Sequence, residues 1–121
     1  NLKKKFGDEL TVISGGLKHG AEKFVKKYAI EFGCKYKEYG MACDNYNLYS
    51  VMPESYYGKP FHPTQSLHRY DLISRYSDCC IALISNEGDT RAIQHAIKQF
   101  KKLKKPVVIM EWFIEIIFTF W

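Results

Sequence analysis

The sequence predicts an α/β protein: a three-layer Rossmann-like domain with a mainly parallel sheet. Three observations carry that expectation. Short β-branched or apolar runs alternate with segments of helical period. The runs "CCIALIS" and "PVVIM" are continuously apolar, as in parallel strands covered on both faces. Glycine stands where two of the strands hand over to helices.

The first run, "ELTVIS" at residues 9–14, reads as a buried strand ending at Gly15 and Gly16. Beyond it, Ala21, Phe24, Val25, Tyr28, Ala29 and Phe32 recur at helical spacing and predict an inward stripe. Lys18, Lys23, Lys26, Lys27 and Glu31 take the solvent side, and Gly33 supplies the stop. "CKYKEY", residues 34–39, is the second strand.

From 40 to 63 the pattern is lost, and Tyr46, Tyr49, Tyr56 and Tyr57 recur among Gly, Asn, Pro and Ser. A loop this long in a compact domain is usually functional or mobile. It has room for one short helix whose position the pattern does not fix. Residues 63–78 read as a helix with Thr64 as its cap, and 79–85 as a central strand. "NEGD" is a turn. A helix over 90–102 points Ala92, Ile93, Ala96, Ile97 and Phe100 inward, and a buried strand follows over 106–110.

At 121 residues the chain is expected to form one domain, residues 1–121, with its core over about 10–110 and an apolar extension over 111–121. That extension, "EWFIEIIFTFW", is too short to span a bilayer as a helix, which takes about 20 residues. No membrane association is therefore expected. A packed terminal element and a homo-oligomer interface are both open readings. The chain begins at Asn1 without a methionine, which reads as a fragment or a processed product.

The net charge of +5 is mild. It favours anionic ligands such as nucleotides and permits nucleic acid without demanding it. Cys34, Cys43, Cys79 and Cys80 lack zinc-site spacing, and no secretory signal precedes them. They read as reduced, mostly buried thiols in a cytoplasmic protein. No metal and no cofactor is expected.

The chemistry concentrates at the glycine junctions. Glycine lets backbone approach a ligand closely, and the start of the following helix offers unpaired N–H groups. At the first junction Ser14, Gly15, Gly16 and Gly20, with Lys18 and His19 beside them, form either a plain strand-to-helix turn or a phosphate cradle. The spacing is neither GxGxxG nor a Walker loop. The second junction holds Gly88, Asp89 and Thr90. Asp89 would repel phosphate yet cap the helix. Arg69 is suited either to fork onto a phosphate or to form a surface salt bridge, with Asp71 among the partners. Arg75 and Arg91 rank below it. Lys3, Lys4 and Lys5, and Lys101, Lys102, Lys104 and Lys105, read as solvated ends before they read as a nucleic-acid patch. The four histidines show no acid–base partner at a recognisable spacing.

Taken together, "TVISGG…GAEKFVKKYAIEFG", "YGKP", "LHRYDLISRYSDCCIALIS" and "GDTRAIQHAIKQFKKLKKPVVIM" resemble the SLOG superfamily, and within it the YspA-like branch of small Rossmann-like proteins found in bacteria and phages. Ser14, Gly15 and Gly16 match that family's SGG turn. Gly20, Ala21 and Glu22 match its GAD, with one extra residue between the motifs and glutamate for aspartate. Tyr57, Gly58 and Lys59 match its YGK segment. Arg69 keeps the family arginine, while Tyr70 replaces the asparagine; Gly88, Asp89 and Thr90 fall on its glycine–threonine turn. The strand and Gly-Ser-Arg turn that usually open the family do not precede Asn1, so that segment is expected to have been lost or reduced.

The resemblance implies a nucleotide or nucleotide-derived ligand bound at the carboxyl edge of the sheet, in a sensor or sequestering module. The ligand-binding set is Ser14, Gly15, Gly16, Gly20, Gly58, Lys59, Arg69, Gly88, Asp89 and Thr90. Lonely Guy-type relatives hydrolyse nucleotide N-glycosidic bonds and place a glutamate after the glycine–threonine turn. Gln94, which does not titrate, is the nearest counterpart here. An enzymatic role is therefore the alternative, with Glu22 and Asp89 as its candidate acids. DprA-type relatives bind single-stranded DNA, which keeps a nucleic-acid module as a third reading.

Overall fold

The computed structural model describes residues 7–16, 20–85 and 91–112. The fold is mixed α/β, and its elements follow the order the periodicity predicts. They are β1 (Thr11–Ser14), α1 (Gly20–Glu31), β2 (Lys35–Glu38), α2 (Thr64–Tyr76), β3 (Cys80–Ser85), α3 (Arg91–Lys102) and β4 (Val107–Trp112). The chain divides into two compact units, Asn1–Arg69 and Tyr70–Trp121.

The first unit is a β1–α1–β2 crossover. Its strands pair in parallel from Thr11 opposite Lys35 to Ser14 opposite Glu38, and α1 packs on both strands. In β2, Tyr36 and Glu38 are buried while Lys35 and Lys37 are exposed, the alternation of a half-covered strand. The second unit repeats the plan. β3 and β4 pair in parallel from Cys80 opposite Val107 to Ser85 opposite Trp112, beneath α3. All described ladders are parallel, as a Rossmann-like α/β class requires, but they form two two-stranded sheets. At the end of β2 the Glu38 amide donates to the Tyr49 carbonyl (2.9 Å), and the Val51 amide donates to the Glu38 carbonyl (3.0 Å), so the loop bridges to the last residue of the strand.

Several burial expectations are corrected. On α1, Ala29 is buried and Val25 half-buried, but Phe24, Tyr28 and Phe32 are exposed, Phe32 by 60%. A sheet of two four-residue strands is too narrow to cover a wide helical stripe. The outer aromatics stack on one another instead, with centroids 6.5 and 6.2 Å apart. Lys26 is not a plain solvent lysine either, since it pairs with Glu38. β3 and β4 are not buried on both faces: Ala82 is buried, but Ile81, Val108, Ile109 and Met110 are exposed. A two-stranded ladder under one helix leaves such positions uncovered. The cysteines are free as expected but not mostly buried, because Cys79 is exposed and the others are half-buried. On α3, Ala96, Ile97 and Phe100 are buried as the period predicts.

Thr64 is the first residue of α2 rather than its cap. His62 supplies the acceptor, its Nδ1 taking the Thr64 amide at 3.2 Å. The last carbonyls of α2, those of Ser74 and Arg75, receive the Lys105 ammonium at 2.7 and 2.8 Å, so this lysine leaves the solvated run. The short helix of the 40–63 loop is a 3-10 turn at Glu54–Tyr56. No described helix is long and apolar enough to cross a membrane. Of the apolar extension, only the strand backbone of Glu111 and Trp112 falls among the described residues.

α1 and α3 close with the same motif. Gly33 (φ 70°) donates to Ile30 and Cys34 to Ala29; Lys104 (φ 59°) donates to Lys101 and Lys105 to Phe100. This is the Schellman pattern, whose left-handed residue is normally glycine. A side chain in that conformation costs about 1 kcal/mol. Lys104→Gly is therefore expected to raise the unfolding free energy by about 1 kcal/mol, measured by urea denaturation at neutral pH.

Candidate functional site

The carboxyl ends of β1 and β2 carry the densest polar grouping among the described residues of the first unit. Such strand ends are where parallel α/β sheets bind ligands. β1 ends at Ser14, and the chain turns at Gly15 and Gly16. Gly16 has φ 69°, a conformation that side chains rarely adopt. A Cβ there would also come within 2.5 Å of the Glu38 carboxylate.

Gly15 is required for a different reason. A Cβ on it would fall on Nη1 of Arg69 and 2.7 Å from Cζ, so the end of the guanidinium lies against the turn. Arg69 reaches this place from α2 and is only 1% exposed. Its Nη1 stands 3.6 Å from Oε2 of Glu22, whose Oε1 accepts the Gly15 amide at 3.3 Å. Of the two readings of Arg69, the structure shows an ion pair, formed with Glu22 by a buried guanidinium and a partly exposed carboxylate. Asp71 is held by His95 instead, Nε2 to Oδ1 at 2.8 Å. That contact gives one histidine an acidic partner which spacing did not reveal.

A second polar chain runs beside the first. The Gly16 amide donates to Ser14 Oγ (3.2 Å), which meets the Tyr36 hydroxyl at 2.6 Å. Tyr36 donates to Oε1 of Glu38 (3.2 Å), so the shared proton of the Ser14–Tyr36 bond comes from serine. Glu38 also receives the Lys26 ammonium (3.0 Å) and the Asn47 side-chain amide. Burial pushes the Tyr36 phenol well above its ordinary range, and the charge of Glu38 adds to the effect.

These groups border a cleft of about 360 Å³, lined by Gly16, Lys23, Lys26, Glu38 and the loop stretch from Asp44 to Asn47. Tyr46 is 49% exposed and meets buried Tyr57 edge-to-face, centroids 6.0 Å apart. Tyr57 in turn meets Tyr56 at 5.2 Å, and burial raises the Tyr56 phenol while the Arg69 charge opposes the shift. The cleft thus offers two ammonium groups, two carboxylates, two amides and an aromatic face.

Of the expected ligand set, Ser14, Gly15, Gly16 and Arg69 come together, with Glu22 among them. Gly20 opens α1 as expected. Gly58 and Lys59 are exposed, give their amides to the Asp44 and Ala42 carbonyls, and do not line the cleft. Lys18, His19, Gly88, Asp89 and Thr90 lie outside the described residues. Sequence reasoning missed Glu38, Tyr36, Asn47 and the pairing of Lys26. One signal was available: Tyr36 and Glu38 share a strand face, so if the tyrosine is buried the carboxylate at the strand end is buried with it.

No family model, curated protein or solved structure matches the chain. The site therefore rests on its own geometry.

Two outcomes follow from that geometry. Gly15→Ala displaces the Arg69 guanidinium from its carboxylate and is expected to cost about 3 kcal/mol or more, read by chemical denaturation. Because the folded Tyr36 pKa lies above its unfolded value, its contribution is complete below about pH 10 and is lost as pH rises beyond it. Stability measured from pH 8 to 11.5 should fall more steeply in the wild type than in Tyr36→Phe.

Proposed function

We propose that this chain binds a nucleotide or nucleotide-derived ligand in the cleft beside Gly16, as a sensor or sequestering module. The observation that carries the reading is the composition of that cleft. Lys23 offers positive charge for phosphate beside the Lys26–Glu38 pair, and Asn45 offers an amide donor and acceptor for a base edge, while Asn47 is held by Glu38 and the Tyr49 amide. Tyr46 offers an exposed ring for stacking, of the kind worth about 1–3 kcal/mol per base. The glycine corner brings backbone to the rim. The resemblance of the motifs to the SLOG superfamily supports the same reading, as does the place of the cleft at the carboxyl ends of parallel strands. A cytoplasmic setting and self-association through residues 111–121 belong to this proposal.

A second reading, hydrolysis of a nucleotide N-glycosidic bond, draws on the carboxylates Glu38 and Asp44 in the cleft. Glu22 is a poorer catalytic candidate than the sequence suggests, because its two oxygens already face Gly15 and Arg69. The nucleic-acid reading ranks third, since Lys105 is committed to backbone carbonyls.

The test is a thermal-shift titration with AMP, ADP and ADP-ribose, since a ligand selective for the folded chain raises its melting temperature. Lys23→Ala and Tyr46→Ala change exposed or half-open side chains. Each is expected to leave the unliganded melting temperature within about 2 °C and to weaken binding about tenfold. Melting temperatures unmoved by millimolar nucleotide would overturn the reading. Release of free base during the same incubation would favour the hydrolase.

A further inference from the structure

We infer that the Glu22 carboxylate is a resident occupant of an anion seat, and that a ligand phosphate binds there by displacing it. This deepens the nucleotide reading and rests on it for the identity of the ligand. The seat itself is defined by geometry alone. One backbone N–H, that of Gly15, and one guanidinium, that of Arg69, converge on a single carboxylate, at 3.3 and 3.6 Å. The missing Cβ of Gly15 lets the guanidinium lie against the turn. An amide and an arginine at one point form a donor set that suits a phosphate oxygen as well as a carboxylate.

Three features make Glu22 a replaceable occupant. First, it is the outer member of the pair: its side chain is 18% exposed against 1% for Arg69. Withdrawing it opens the seat toward solvent, and the arginine stays in place. Second, both contacts are longer than the 2.7–2.9 Å of a strong charge-assisted hydrogen bond. Third, Glu22 is the third residue of α1. A glutamate in the first turn remains favoured by the helix dipole when its carboxylate turns to water. Phosphate also brings more oxygens and more charge to the seat than a carboxylate does.

The experiment measures inorganic phosphate and AMP binding to the full chain by thermal shift and by calorimetry, for the wild type, Glu22→Gln and Glu31→Gln. Glu31 is an exposed residue at the far end of the same helix, so its variant controls for the change in net charge. Glu22→Gln is expected to bind phosphate about tenfold more tightly than the wild type, and Glu31→Gln no more than about twofold. Equal or weaker phosphate binding by Glu22→Gln overturns the inference. If Glu22→Gln does not fold, Glu22→Asp, which draws the charge back by one methylene, must bind phosphate more tightly than the wild type; failure to do so overturns it equally. The two ideas separate cleanly. AMP binding unaffected at Glu22 leaves the nucleotide reading standing and removes the displaced carboxylate. Tighter phosphate binding by Glu22→Gln with no AMP binding by any variant does the reverse.

Discussion

A guanidinium withdrawn from water has to meet a negative charge, because the cost of burying an ion amounts to several kcal/mol. Arg69 imposes that requirement on the first unit. Its side chain is fully buried, and it draws together the end of β1, the first turn of α1 and its own helix. Glu22 supplies the charge. Gly15 supplies the space, since any side chain there would occupy the position of the guanidinium. Gly15, Glu22 and Arg69 are thereby fixed as a set. The neighbouring Gly16 answers a separate demand, a left-handed backbone with the Glu38 carboxylate against its Cα. The two glycines look alike in sequence and are needed for different reasons.

Glu38 creates the second half of the arrangement. It is a buried carboxylate at the last position of a strand, reached by a phenol, an ammonium and an amide. One buried and one half-buried carboxylate at one sheet edge are an expensive way to build a turn. Apolar side chains of similar volume would pack there without the desolvation cost. Proteins that keep such polar groups generally do so where the site has a task, and stability is made up elsewhere. In this chain the apolar burial lies with Tyr36, Tyr39, Met41, Ala42 and Tyr57 around the loop, and with Ile97 and Phe100 in the second unit.

The order of elements was legible because helix and strand periods differ and the glycine and proline punctuation is clean. "TVIS", "CIALIS" and the α3 stripe all fall where their patterns place them. Gly33 closes α1 as its position suggests, whereas Lys104 does the same work at α3 with no glycine to announce it. What periodicity does not carry is how much of a stripe its sheet covers. Phe24, Tyr28 and Phe32 are apolar and regularly spaced, yet the sheet beneath them is only two strands wide. Pairing across distance was equally hidden. Asp71 lies two residues from Arg69, but the two sit on nearly opposite sides of a helix and do not face each other. Glu22 and His95 became their partners through tertiary contact. The candidate site was half legible: Ser14, Gly15, Gly16, Glu22 and Arg69 carried recognisable chemistry, while Glu38 and Asn47 looked like an ordinary strand end and an ordinary loop residue.

The charges around the corner clarify what the glycines are for. Arg69 pairs with Glu22 and Lys26 with Glu38, while Lys23 and Asp44 both line the cleft, so three positive groups stand among three carboxylates. The chain's excess positive charge is not concentrated here. A phosphate that simply added itself to this set would leave it one or two charges negative in a partly desolvated place, and repulsion would oppose its entry. A phosphate that took the position of a carboxylate would meet less opposition, because the outgoing acid carries one negative charge to water. On the displacement proposal, a plain turn and an anion cradle would share one backbone shape, and the acid resting on the Gly15 amide, Glu22 in this structure, would set which of the two is present.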